Sequence, residues 1–362
     1  MNESTRFEKR KQEHIQLSLD SRTQNLMSTG FDKIRLWPNA LPEINFSDVK
    51  IETTLLKNKF SSPHFISSMT AGHKQGEQIN LLLAEAASEK NWLFCLGSQR
   101  KQLLEKNKTD IKSEFNLVSK IAKKFPKTKF VSNIGIEQVI KSGPNDILKL
   151  MEATNSIGLI IHLNGLQEIF QGNQKIELKN GLKSIEAICK KKSRPVIIKE
   201  VGFGITASTS KRLFDCGVDI VDVSGSGGTH WGAIESLRQP VDSVLSKSVQ
   251  HFSDWGMTTV ECLLDHLKKN ESKKMSQKNI WASGGIRSGV DSAKCLALGA
   301  SAVGLAQPLM KSLILKNNKL NTVDKLIHVM NQFDFELKTT LFCTGSENIE
   351  MLSERKVWYE KR

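Results

Sequence analysis

Short apolar runs recur along the chain, each ending in glycine and small polar residues and each followed by a stretch with helical periodicity. The runs are His64–Ser68, Trp92–Leu96, Lys129–Ser132, Gly158–Leu163, Pro195–Ile198, Val218–Val223, Ile280–Ala282 and Ala302–Leu305. Their length and their glycine ends predict buried strands, and the segments between them predict helices. From about Gln75 to Lys90, for example, Ile79, Leu82, Leu83 and Ala86 fall on one helical face. Eight alternating units predict an α/β chain folded as a parallel (β/α)8 barrel, a TIM barrel, in preference to an open doubly wound sheet. Residues 1–60 form an N-terminal extension, with a polar helical pattern over 1–20 and an irregular lead-in over 21–60. Residues 61–362 form the barrel, and residues 229–256 make a longer excursion suited to a lid or an interface.

Composition narrows this picture. A chain of 362 residues with 39% hydrophobic content is long enough for one large barrel. No apolar stretch is long enough to span a membrane, and the N-terminus lacks the apolar core of a secretory signal, so no membrane partner and a cytoplasmic location are expected. Six cysteines, scattered without metal-ligand spacing, read as free thiols. The formal charge of +14 raises nucleic acid as a partner, but the cations are dispersed and the chain has a single Tyr, so basic residues do not alternate with stacking aromatics. An anionic small molecule fits the charge better, and no nucleic acid is expected.

Chemistry in such a barrel sits on the loops after the strands. There the sequence places Thr70, Ser98, Arg100, Asn133, His162, Asn164, Gln167, Glu168, Lys199, Ser224, Thr229, Arg287 and Gln307. Any one of these has a plainer reading as a strand-end cap, but thirteen on one rim point to a ligand. Gly284, Gly285 and Arg287, with a second turn at Gly304-Leu305-Ala306-Gln307, suit a phosphate: free backbone N–H groups beside a fixed cation. Arg10 and Lys11 on the N-terminal helix, with Arg100, suggest a separate anion site. Lys199 suits the underside of a flavin ring. Glu168 suits Mg²⁺, which takes one or two carboxylates plus waters and phosphate oxygens.

In this order the segments RKQEHI (10–15), SSMTAG (67–72), GSQR (97–100), SNIG (132–135), IHLNGLQE (161–168), SGSGGT (224–229), SGGIR (283–287) and GLAQP (304–308) resemble the type 2, FMN-dependent isopentenyl-diphosphate delta-isomerases. The resemblance runs from about Arg10 to the TGSEN stretch at Thr344–Asn348, with small departures at Ala71 and Gly165. It implies FMN held by Met69, Thr70, Ala71, Ser98, Asn133, Lys199, Ser224, Thr229, Gly285, Ile286, Arg287, Ala306 and Gln307. It further implies a substrate diphosphate met by Arg10, Lys11, Arg100, His162 and Asn164, Gln167 near the reacting carbons as the catalytic residue, and Glu168 on Mg²⁺. NADPH as reductant and a homo-oligomer, tetramer or octamer, follow from the same resemblance. The rivals are a 2-hydroxy-acid oxidase, which needs a His base and a carboxylate-binding Arg, and a flavin-storing or basic protein without turnover.

Overall fold

The computed structural model describes residues 3–69, 74–105, 121–173, 175–270, 280–315, 319–355 and 357–360. Eight parallel strands close a barrel in chain order: β1 (His64–Ile66), β2 (Leu93–Cys95), β3 (Phe130–Gly135), β4 (Leu159–Leu163), β5 (Val196–Glu200), β6 (Ile220–Asp222), β7 (Ile280–Ser283) and β8 (Ala302–Leu305). Val303 of β8 pairs with His64 of β1 to complete the ring. Every expected run contains a strand. Three strands continue further than the apolar pattern, because their ladders do: Asn133 pairs with Ile160 and Lys199 with Asp222. Asn133, Lys199 and Ser283 therefore project from strands and not from loops, which fixes them more rigidly.

Alternation along the strands sorts side chains into layers. Phe65, Leu93, Val131, Ile160, Ile197, Ile220, Trp281 and Ala302 fill the barrel interior as one buried apolar cluster. Two residues further along six of the eight strands, the same inward face carries Ser67, Asn133, His162, Lys199, Asp222 and Ser283, with Cys95 and Gly304 at that place on β2 and β8. The barrel thus changes from apolar to polar one layer below its C-terminal mouth. The opposite end is closed by the hairpin Thr53–Leu55/Asn58–Phe60, whose Leu55 and Phe60 join the interior cluster.

The extension is more ordered than its sequence pattern suggests. Helix α1 (Glu3–Ser18) lies over the mouth, with Lys11, His14, Ile15 and Ser18 lining the space beneath it. The lead-in is stitched to the loop after β6: His230 N–H donates to Thr23 O and Asn25 N–H to Gly228 O, both at 2.7 Å. The segment Ile34–Leu36 pairs antiparallel with Val357–Tyr359. Helix α2 (Gly165–Phe170) follows β4, helix α3 (Trp231–Leu237) opens the excursion after β6, and helix α4 (Gln307–Leu313) follows β8. α3 packs against both α1 and α2, so the excursion forms one wall of the mouth. No helix among the described residues is long and apolar enough to cross a membrane.

Candidate active site

The pocket at the C-terminal mouth gathers most of the residues expected there. Lys11, Met69, Ser98, Asn133, His162, Gln167, Lys199, Ser224, Thr229, Gly285, Ile286, Arg287, Ala306 and Gln307 all line it. Arg10, Arg100, Asn164 and Glu168 do not, and Thr70 and Ala71 lie outside the described residues.

The floor is a charged layer held by buried hydrogen bonds. Lys199 Nζ donates to Ser224 Oγ at 2.7 Å and to Glu200 O at 2.6 Å, with Asp222 Oδ2 3.8 Å away. Ser224 has φ +39°, a conformation non-glycine residues rarely adopt, which turns the chain sharply at the exit of β6. Beside Lys199, His162 Nδ1–H donates to Asn133 Oδ1 at 2.8 Å. Burial, and then the charges of Lys11 and Lys199, push the His162 pKa down to about 3, so the imidazole is neutral. The Glu200 carboxylate accepts the N–H groups of Val201, Gly202 and Phe203 at 2.5–2.7 Å, shaping the loop whose Val201 and Gly202 face the pocket.

One side of the pocket is main chain. Gly284 and Gly285 have φ +100° and +73°. A Cβ on Gly284 would collide with the carbonyl oxygen of Gly225, and one on Gly285 with Thr29 and Gly227. The loops after β6 and β7 therefore pack backbone to backbone, which only glycine permits. Gly284→Ala is expected to cost at least about 2 kcal/mol from strained φ and overlap together, read as a fall in Tm by calorimetry. An unchanged Tm would show that the loops are not locked together.

The roof is cationic. Lys11 and Arg10 lie within electrostatic reach of each other and of Arg100. Burial first, then the charges of Arg10 and Arg100, outweigh Glu235 and Glu168 and lower the Lys11 pKa to about 8. Behind these cations stands Glu235, with a fully buried side chain. Its carboxylate accepts from Gln167 Nε2 at 3.0 Å and Arg238 Nη1 at 2.6 Å, and His14 Nε2 lies 2.8 Å from it. Burial works against this carboxylate, but its hydrogen bonds to His14 and Gln167 and the nearby charge of Arg238 hold its pKa down at about 2. Burial lowers the His14 pKa, and the adjacent Glu235 carboxylate works against that. Glu168 takes a different direction from its neighbour Gln167. The two sit on α2, where successive residues point about 100° apart, and not in an open loop as the sequence suggests. Glu168 accepts from Asn164 Nδ2 at 3.0 Å and Asn173 Nδ2 at 3.2 Å. Asn164 thus orients Glu168.

The sequence matches the FMN-dependent dehydrogenase family over residues 6–130 and 149–359. It is 41% identical to an isopentenyl-diphosphate delta-isomerase of Bdellovibrio bacteriovorus, covering 99% of both chains. It is 38% identical to that of Legionella pneumophila strain Corby, covering 98% of both, and 36% identical to that of Oceanobacillus iheyensis, covering 95% of this chain and 93% of the other. The chain belongs to the isopentenyl-diphosphate delta-isomerase family.

Solved structures that share the fold include a Pediococcus acidilactici (putative) lactate oxidase, with TM-score 0.67, 17% identity and 99% and 95% of the two chains covered. A mandelate oxidase with benzoyl-formic acid gives TM-score 0.64 at 16% identity, covering 99% of both. This chain thus shares a barrel with these two oxidases, and the oxidase reading of the sequence turns on a His base, for which His230 is the nearest candidate. In this isomerase-family chain His230 Nδ1 accepts from Ala233 N–H at 2.9 Å to cap α3, and Nε2 lies 2.8 Å from Phe252 O. Both ring nitrogens are engaged, and His230 does not line the pocket. Sequence reasoning overlooked Glu235, Trp231, Asp222 and Ser283. His14 stood within the RKQEHI segment without a role, and its edge-on contact with Trp231, 5.4 Å between centroids, shows why it is there. The one signal for Glu235 was a carboxylate among small and apolar residues on a short helix, at odds with its surroundings.

Proposed function

We propose that this chain binds FMN along the floor of the pocket and interconverts isopentenyl and dimethylallyl diphosphate, a 1,3-proton shift without net redox change, in isoprenoid biosynthesis. The observation that supports it most is a pocket with two separate cationic ends. Lys199 and Arg287 belong to the floor and the glycine wall, and Lys11 belongs to the roof with Arg10 and Arg100 behind it. One end suits FMN and the other a diphosphate. The residues fit FMN: a glycine wall without side chains admits a close approach, and Ala306 and Gln307 at the start of α4 line the same pocket. They fit Mg²⁺ through one carboxylate, Glu168, near the cations that would hold the diphosphate, in keeping with a metal that keeps waters and substrate oxygens as its other ligands. Reduced FMN, with NADPH as reductant, supplies an electron-rich ring and an exchangeable proton at N5.

The chain's own residues do the rest. Lys11, Arg10 and Arg100 draw in the diphosphate, and Asn164 with His162, which stands on the floor within reach of the Lys11 charge, completes the substrate site. α1 and Trp231 shield the pocket from water. Gln167, neutral and anchored on Glu235, orients the reacting carbons without presenting a base strong enough to quench developing positive charge. Glu235 is ionised, but its hydrogen bonds to Gln167 and Arg238 and the close ring of His14 offset its charge. Assembly as a homotetramer or octamer in the cytoplasm completes the reading. A 2-hydroxy-acid oxidase is disfavoured by the engaged ring of His230.

Purified protein is expected to show a flavin absorption band and, with reduced FMN and Mg²⁺ under anaerobic conditions, isomerase activity. No activity in flavin-reduced wild type would refute the reading. Arg287→Ala is expected to lower FMN affinity by about tenfold, the loss of one charged contact, read as flavin content after dialysis. Unchanged retention would remove Arg287 from the phosphate site.

A further inference from the structure

We propose that Asp222 and Ser283 form a positioning pair that fixes the charge of Lys199 beneath the flavin and so sets how readily the flavin is reduced. The proposal rests on the FMN reading above. Asp222 has no solvent exposure and Ser283 only 3%. Lys199, Ser224 and Ser283 line the pocket, whereas Asp222 stands one step behind them. It pairs in register with Lys199 on β5 and with Trp281 on β7, which places it at the centre of the polar layer.

A buried carboxylate at this depth requires partners. Ser283 Oγ donates to both of its oxygens, at 2.8 and 3.0 Å, and Ser224 N–H reaches Oδ1 at 3.3 Å. Lys199 is 3.8 Å away, an opposite charge without a direct hydrogen bond. Lys199 Nζ is held instead by Ser224 Oγ and Glu200 O. The arrangement is therefore graded. Ser283 occupies the carboxylate and keeps it from closing on the ammonium, and the carboxylate in turn offsets part of the ammonium's field at the pocket. A flavin gains negative charge on reduction, so the uncompensated part of the Lys199 charge favours the reduced form. Asp222 acts through Lys199, without touching the ligand.

The test measures flavin midpoint potential in FMN-loaded wild type, Asp222→Asn, Ser283→Ala, Lys199→Met and the Asp222→Asn/Lys199→Met double variant. Asp222→Asn keeps the shape and removes the charge. It is expected to raise the reduced-to-oxidised ratio at fixed potential about tenfold, about 30 mV for a two-electron couple. Ser283→Ala frees the carboxylate to turn towards Lys199 and is expected to shift the ratio the opposite way. In the Lys199→Met background the effect of Asp222→Asn is expected to fall by more than half, the signature of coupling between the two sites. An equal shift with and without Lys199, or no shift in either single variant, overturns the proposal. If Asp222→Asn fails to fold, the sign of the Ser283→Ala shift decides: an upward or absent shift overturns it. Wild type that takes up no FMN refutes the cofactor reading instead, so the two failures are distinguishable.

Discussion

Gln167→Ala is expected to lower kcat by roughly 10²-fold, the scale of one lost orienting contact at the reacting atoms, while leaving Mg²⁺ half-saturation and flavin content unchanged. The amide of Gln167 is aimed by its hydrogen bond to Glu235 at 3.0 Å, and its side chain lines the pocket. Truncation removes that group, yet Glu235 keeps His14 and Arg238, so the wall of the mouth stays intact. Glu168→Gln is the matched control on the next residue. It retains the shape but leaves a single acceptor oxygen for the amides of Asn164 and Asn173, and removes the charge that Mg²⁺ requires. Its Mg²⁺ half-saturation is expected to rise at least about tenfold, with FMN still bound. Both are read from Mg²⁺ titrations of the isomerase reaction with reduced FMN. Wild-type kcat in Gln167→Ala would take that residue out of the mechanism. An identical half-saturation in wild type and Glu168→Gln would overturn the metal assignment. The contrast between the two is informative because they are neighbours: a general loss of α2 would affect both readouts together.

Lys11→Met is expected to raise KM for the diphosphate substrate about 10- to 100-fold, the loss of one charged hydrogen bond, and at the same time to raise Tm at neutral pH. Both effects have the same cause. Burial and the neighbouring charges of Arg10 and Arg100 disfavour a charged Lys11 until an anion arrives. Its folded-state pKa of about 8 lies below the ordinary 10.5, so between these values the folded chain binds fewer protons than the unfolded chain. Stability from this group therefore rises with pH across that window and is lowest below it. Substrate binding runs the other way, and KM of the wild type is expected to rise as pH passes about 8. Lys11→Met is expected to flatten both profiles. A variant whose Tm falls by several degrees with KM intact would make Lys11 a structural residue. A wild-type KM that is level from pH 7 to 9 would contradict the proposed role of its charge.

How much of this was legible beforehand follows from the physics of each element. The eight strands were readable because a parallel barrel buries both strand faces, so each strand appears as an apolar run with a glycine end. That Asn133, His162 and Lys199 reach the mouth was readable from the ends of the runs, but that Asn133 and Lys199 stand on the strands themselves was not, because the polar residues end the apolar pattern before the ladders end. The two glycines after β7 announced a place where side chains are forbidden. The hairpin that closes the barrel floor was not readable. Its turn residues, Leu56 and Lys57, have φ +50° and +63° without the Asn or Gly that usually marks such a turn. Nor was the fate of Gln167 and Glu168, since a six-residue helix gives too little period to detect, and that helix sends adjacent side chains to different partners.

The sequence by itself thus determined the barrel, its polar mouth, its glycine wall and most of the side chains that line the mouth, because those follow from local period and residue type. Tertiary structure alone decided which charges meet. Asp222 and Lys199 are neighbours only across a strand ladder. His14 and Glu235 are more than two hundred residues apart and join only when α1 closes over α3. Pairings of this kind depend on the register of strands and the docking of helices, which no local pattern encodes, and they set how charge is distributed around the pocket.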